Sequence, residues 1–158
     1  MVNCRAFLEL GGMHMKVLVI NGANMNLLGK REPEIYGGET LEDLEQTIRR
    51  EAEKLEWETE LEFFQSNHEG EIIDMIHQAM TDKTDAIILN PGAFTHYSYA
   101  IRDAIKATGI RTVEVHMSNI HTREEFRKNS VIAPVCVGQI SGFGFSGYLA
   151  ALYLLKRG

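Results

Sequence analysis

Two pairs of residues in this 158-residue chain have the types and spacing to move protons. Tyr36 follows Arg31 by five positions in a stretch rich in glycine, asparagine and charge. A phenol ordinarily ionises near pH 10, but an adjacent guanidinium stabilises the phenolate and lets it serve as a base near neutrality. Glu114 precedes His116 by two positions, and on an extended strand that spacing sends both side chains to one side. The carboxylate would then orient the imidazole and favour its protonated form, which suits a general acid. On composition and spacing alone, a turn tyrosine and a strand-end histidine that only hydrogen-bond fit these positions equally well.

The elements that must position these groups can be read from the hydrophobic pattern. Residues 16–21 (KVLVIN) form a short apolar run, as does 85–90 (DAIILN), each the signature of a strand buried on both faces. Thr40, with Asp43 three positions on, reads as the N-cap of a helix whose greasy face is Leu41, Leu44, Ile48, Ala52 and Leu55. Trp57, Thr59, Leu61 and Phe63 alternate with Glu58, Glu60 and Glu62, which predicts a half-exposed strand at a sheet edge. Ile72, Ile73, Ile76, Ala79 and Met80 mark a second helix. Further elements are expected as a helix near 97–107, a strand at 111–116, a short helix near 122–127, a strand at 132–137 and a last helix from about Phe145. Five strands interleaved with helices predict an α/β fold, a parallel sheet covered on both faces.

In such folds ligands sit beyond the carboxyl ends of the strands. The polar residues gather there: Asn21, Asn24, Asn26, Lys30, Arg31 and Tyr36 after the first strand; Asn90, Thr95 and His96 after the third; Ser118 and Asn119 after the fourth. The length fits one domain over 15–158, with 1–14 as an extension. Apolar residues at 44% and charged residues at 24% are ordinary for a globular chain, so neither disorder nor a fibrous repeat is favoured. Acidic residues outnumber basic ones by 22 to 16, a net charge of −6, which disfavours a nucleic-acid or anionic-membrane binder. A small anion remains possible where a few Arg and His converge. Residues 129–155 carry no charge, but Pro134 and several glycines divide them too finely for a membrane span. Two cysteines, Cys4 and Cys136, give no disulfide framework, and a reducing cytoplasm is expected.

Other chemistries fit less well. GFGFSG at 142–147 matches a dinucleotide fingerprint but lies at the end of the chain, with no acidic residue downstream. A phospho-receiver needs carboxylates where the first and third strands end, and Asn21 and Asn90 stand there. His116 and His121 lack a zinc spacing, and Cys136 reads as packing. A flavodoxin-like module that only binds FMN or a phosphorylated ligand stays as the rival to an enzyme.

Six motifs, in order, carry a more specific signal: NGANMNLLG at 21–29, REPEIYG at 31–37, LNPGAFTH at 89–96, EVHMSN at 114–119, REEFR at 123–127 and GFGFSGY at 142–148. Together they resemble the type II 3-dehydroquinate dehydratases over about 16–155. The resemblance implies a flavodoxin-like five-stranded sheet and a shikimate-pathway reaction, loss of water from 3-dehydroquinate through an enolate, with no metal and no organic cofactor. It makes Tyr36 the base, Arg31 the residue that lowers its pKa, and His116 the acid backed by Glu114. It gives Asn24 the water that stabilises the enolate, and Asn90, His96 and Arg127 the substrate hydroxyls. Met117 and Ser118 would present backbone N–H groups to the carboxylate, and Arg123 would close over the pocket. It further implies a dodecamer of four trimers in which Asp103 of a neighbouring copy reaches the site. Many relatives have Gly-Pro-Asn where this chain has Gly22-Ala23-Asn24, so a looser loop around Asn24 is expected. Type I enzymes, which use a lysine Schiff base in a larger barrel, do not fit this length.

Overall fold

The computed structural model describes residues 14–30 and 38–158. Arg31 and Tyr36, and all of the expected extension except His14, lie outside the described residues. The apolar runs form β1 (Met15–Asn21), β3 (Ala86–Asn90) and β4 (Arg111–His116), and the acidic alternating stretch forms β2 (Thr59–Gln65). With β5 (Gly138–Ser141) they make one all-parallel sheet in the order β2-β1-β3-β4-β5. The acidic strand is therefore at an edge, as its pattern predicts. This is the flavodoxin-like doubly wound order, whose direction of winding reverses between β1 and β3.

Among the described residues, four α-helices cover the sheet: α1 (Leu41–Lys54), α2 (Glu69–Thr81), α3 (Tyr99–Thr108) and α4 (Gly144–Arg157). Alternation along β1 shows how the layers are built, because successive side chains leave a strand on opposite faces. Val17 and Val19 join Leu44, Ile48 and Ala52 of α1 and Ala151, Leu152 and Leu155 of α4. Leu18 and Ile20 join Ile72, Ile76 and Ala79 of α2 and Ile101, Ala104 and Ile105 of α3 on the other face. Met80, grouped by spacing with the greasy face of α2, is exposed.

The helix ends follow side-chain chemistry. Thr40 and Asp43 form a reciprocal capping box, the Thr40 N–H donating to Asp43 at 2.8 Å and the Asp43 N–H to Thr40 at 3.2 Å. The predicted helix near 97–107 begins two residues late, since Ser98 caps it by accepting the Ile101 N–H at 3.0 Å, and residues Gly92–His96 form a separate 3₁₀ turn.

Two expectations are corrected. The short helix near 122–127 is two 3₁₀ turns, Ile120–Thr122 and Glu125–Lys128, with Arg123 extended between them. The Asn119 side chain accepts the His121 N–H and draws the chain into a local turn in place of a helix. The fifth strand lies at Gly138–Ser141 and not at 132–137. The apolar run packs as a loop, with Val131 and Ile132 buried in the second core. Its backbone donors up to Cys136 are taken locally, Ile132 and Ala133 N–H by the Ser130 hydroxyl and Val135 and Cys136 N–H by a 3₁₀ turn, while Pro134 has none and only the last, Val137 N–H, reaches the Thr112 carbonyl of β4 at 2.8 Å. Cys136 is thus in a loop; its thiol is pushed up to about 12, first by burial and then by the charge of Glu114, so it stays neutral.

Ser98 is buried, caps α3 and also donates to Glu69 of α2 at 2.5 Å. Ser98→Ala should therefore lower the unfolding free energy by about 1–2 kcal/mol. Urea denaturation checks this; a loss below about 0.3 kcal/mol would show that neither bond contributes.

Candidate active site

The carboxyl ends of β1, β3 and β4 open on an irregular crevice continuous with solvent. Asn24, Asn90, His96, His116, Met117, Ser118, Arg123 and Arg127 line it together with Met25, Leu27, Leu28 and Ile120. Eight residues singled out from the sequence thus come from three strand-end loops to one cavity. Glu114 stands behind His116. Asp103 is exposed on α3 and does not line this crevice. His121 is exposed on its 3₁₀ turn, away from the cavity wall.

Glu114 is the deepest charge of the site, with no solvent exposure. Its Oε1 accepts from Thr95 Oγ1 at 2.6 Å, from His116 Nε2 at 2.5 Å and from Gln139 Nε2 at 3.0 Å, and its Oε2 accepts from Ser130 Oγ at 2.9 Å. Burial pushes this carboxyl up, but the hydrogen bond and charge of His116 and the bonds from Thr95 and Gln139 outweigh it and hold the group below its ordinary value. Glu114 is then ionised at neutral pH and can only accept, so the hydrogen between the two residues is on Nε2 of His116. Nδ1 is left as the nitrogen able to exchange a proton with a ligand.

The loop after β1 is braced by main chain. Gly22 donates its N–H to the Asn90 carbonyl at 2.7 Å, and a Cβ on it would stand 2.4 Å from the Pro91 oxygen. In return, a Cβ on Gly92, whose φ is +61°, would stand 2.7 Å from the Ala23 oxygen. Asn24 itself is left-handed, at φ 68°, and its N–H donates to Asn67 Oδ1 at 2.8 Å. These contacts restrain the loop where a proline ring is missing at Ala23.

Asn90 is nearly buried and its amide is engaged on both sides. Its Nδ2 donates to the Tyr148 hydroxyl at 2.8 Å and its Oδ1 accepts the Gly92 N–H at 3.1 Å. Tyr148, fully buried, in turn donates to Asn21 Oδ1 at 2.7 Å, and burial raises its pKa. The sequence reading missed Tyr148 as a partner of Asn21 and Asn90, since it sits in a glycine-rich segment far from both in sequence. It also missed Ser130 and Gln139 as partners of Glu114, since both lie in the uncharged stretch 129–155, where no charge or motif ties them to the site.

The side of the crevice that carries His96, Arg123 and Arg127 is held by local contacts. His96 donates from Nδ1 to the Asn129 carbonyl at 2.9 Å and packs edge-on against Phe126, with ring centres 5.4 Å apart. Arg127 donates from Nε to Glu124 at 2.7 Å and lies over Phe126, and Arg123 Nε is 3.7 Å from the same carboxylate. Both arginines are mostly covered, so two partly desolvated guanidiniums face a cavity that also holds His96 and His116. The arrangement can bind a small hydroxylated anion and exchange a proton with it through His116. No helix among the described residues is long and apolar enough to cross a membrane, and no three metal-ligating side chains come together among them.

The model of the class II dehydroquinase family matches residues 15–156. The 3-dehydroquinate dehydratase of Caldicellulosiruptor bescii is 67% identical over 142 residues, 90% of this chain and 97% of that protein. The type II dehydroquinase structure from Butyrivibrio crossotus superposes with a TM-score of 0.87 at 53% identity, over 91% of this chain and 99% of that one. The type II dehydroquinase structure from Propionibacterium acnes gives 0.83 at 40% identity, over 92% and 100%.

The lowered pKa of Glu114 makes a prediction about acid stability. A carboxyl that ionises more readily when folded stabilises the native state above its unfolded value of 4.5, and this contribution disappears as pH falls through the lower folded value. Glu114→Gln presents an NH₂ group to a set of donors, so it should cost about 1–3 kcal/mol at pH 7. Denaturation at a series of pH values should show the gap between wild type and variant narrowing below pH 4.5. A gap that is constant with pH would contradict the assignment.

Proposed function

The chain belongs to the class II dehydroquinase family, and on that premise we propose that it is a hydro-lyase converting 3-dehydroquinate to 3-dehydroshikimate. The observation that carries this reading is the buried Glu114–His116 pair at the end of β4, opening on a crevice shared with Arg123 and Arg127. In this reading Tyr36, its phenolate stabilised by Arg31, takes a proton from the carbon beside the ketone. The electron pair moves onto the carbonyl oxygen as an enolate, met there by a water that Asn24 helps to hold. Collapse of the enolate expels the β-hydroxyl, which leaves as water with a proton from His116. Tyr36 and His116 then return to their starting states by exchange with solvent, and the net change is loss of one water.

Asn90, His96 and Arg127 would bind substrate hydroxyls, the backbone N–H groups of Met117 and Ser118 its carboxylate, and Arg123 would lie across it. The engagement of Asn90 with Tyr148, Gly92 and the Met25 sulfur leaves it a single acceptor lone pair for this task. The reaction needs no metal and no organic cofactor, because the enolate is stabilised by water and neutral donors. Its place is the shikimate route, in aromatic amino-acid biosynthesis or quinate breakdown, in the cytoplasm. Asp103, exposed and outside its own crevice, would serve the site of a neighbouring copy in a dodecamer of four trimers.

Added 3-dehydroquinate should produce the rising ultraviolet absorbance of a conjugated enone; no rise would overturn the proposal. Tyr36→Phe and Arg31→Ala should each lower turnover by at least about 100-fold while titration calorimetry still detects substrate. Normal turnover by Tyr36→Phe would remove the base assignment. Sedimentation should find an assembly, and a stable, fully active monomer would exclude the role given to Asp103.

A further inference from the structure

The carboxylate of Glu114 has four donors, and three of them belong to residues that the dehydration scheme does not use. Thr95 comes from the 3₁₀ turn after β3, Ser130 from the loop before β5, and Gln139 from β5, where it is the register partner of Glu114. Each is aimed by its own surroundings. Thr95 is fully buried. The Ser130 oxygen accepts the N–H groups of Ile132 at 3.2 Å and Ala133 at 2.9 Å, and its hydrogen is directed at Glu114 Oε2 and at the Thr95 oxygen, 2.8 Å away. Gln139 is set by the β4–β5 ladder. The titratable groups close to Glu114 among the described residues are His116, on its own strand, and Cys136, a neutral thiol from the loop packed beside it. Among the described residues, no lysine or arginine bonds to it.

The geometry points to Thr95, Ser130 and Gln139 as positioning residues that keep Glu114 ionised whichever protonation state His116 adopts. This rests on His116 being the proton donor of the dehydration. When His116 gives up its proton, the ion pair becomes a buried carboxylate facing a neutral imidazole. A buried charge without a cation is tolerated when hydrogen bonds satisfy it. Three neutral donors supply that in both states, so Glu114 has no need to take the Nε2 proton back. If it did, the imidazole, its Nδ1 proton already given to the leaving hydroxyl, would be left an anion until solvent reprotonated it, and the neutral imidazole that followed is a weaker acid than the imidazolium the next cycle needs.

Thr95→Val and Gln139→Met each remove one donor with little change in volume. In each, the Glu114 carboxyl, followed by its ¹³C resonance, should titrate about one pH unit higher, a tenfold change in proton affinity. Turnover of 3-dehydroquinate should fall about tenfold with KM within twofold, and Thr95→Ser should restore both. Gln139 is exposed at a short strand, so Gln139→Met carries the test if Thr95→Val does not fold. An unmoved Glu114 titration in the folded variants, or a loss that appears in KM alone, would overturn the proposal. The ¹³C titration needs no substrate; an inactive wild-type protein would count against dehydration and leave this reading decided by the resonance.

Discussion

A carboxylate with no solvent exposure lies at the end of a central strand, and much of the surrounding structure answers to it. Removing an ion from water costs several kcal/mol after relaxation, and only close, well-aimed partners offset that cost. Glu114 finds them in His116 on its own strand and in three other segments that reach it only when the sheet has formed. The site and the fold therefore require one another. A chain that mispaired β5 would strip Gln139 from the carboxylate, and one that misplaced the turn after β3 would strip Thr95.

The same requirement accounts for the strand that the sequence pattern placed wrongly. By hydrophobicity the stretch 132–137 is the better strand, and in an isolated sheet it would compete well. The polar Gly138–Ser141 pairs instead, which puts Gln139 beside Glu114 and Ser141 beside His116. The apolar run turns back to fill the second core, with Ser130 at its start holding two backbone N–H groups and the carboxylate at once. Electrostatic demand at one position thus overrides apolar patterning nearby.

What was legible in the sequence follows the range over which each signal acts. The strands β1, β3 and β4, the edge position of β2 and the Thr40 cap rest on neighbours within a few residues, and all were readable. The pairing of Glu114 with His116 was readable for the same reason, being a two-residue spacing on a strand. The gathering of Asn24, Asn90, His96, His116, Met117, Ser118, Arg123 and Arg127 followed from the parallel topology and from the family motifs. Tyr148, Ser130 and Gln139 were not legible, because each acts on a partner that only tertiary contact identifies. The residues around Arg123 read as a helix by spacing, but the Asn119 side chain, a local competitor for the backbone, turns the chain there instead.

The loops after β1 and β3 meet through main-chain atoms from both sides: Gly22 against Pro91, Gly92 against Ala23. Most tight contacts in a protein core join side chains, so a swollen residue on one side can be answered by a trimmed one on the other. Here nothing is available to trim. A methyl group on either glycine meets a peptide carbonyl, and no second substitution relieves it. The two loops consequently behave as a single piece, and Asn24 and His96 share one frame of reference. Any lineage or design that alters the depth of this crevice has to do so through its rim, by Leu27, Ile120 or the arginines, while the floor stays where the backbone holds it.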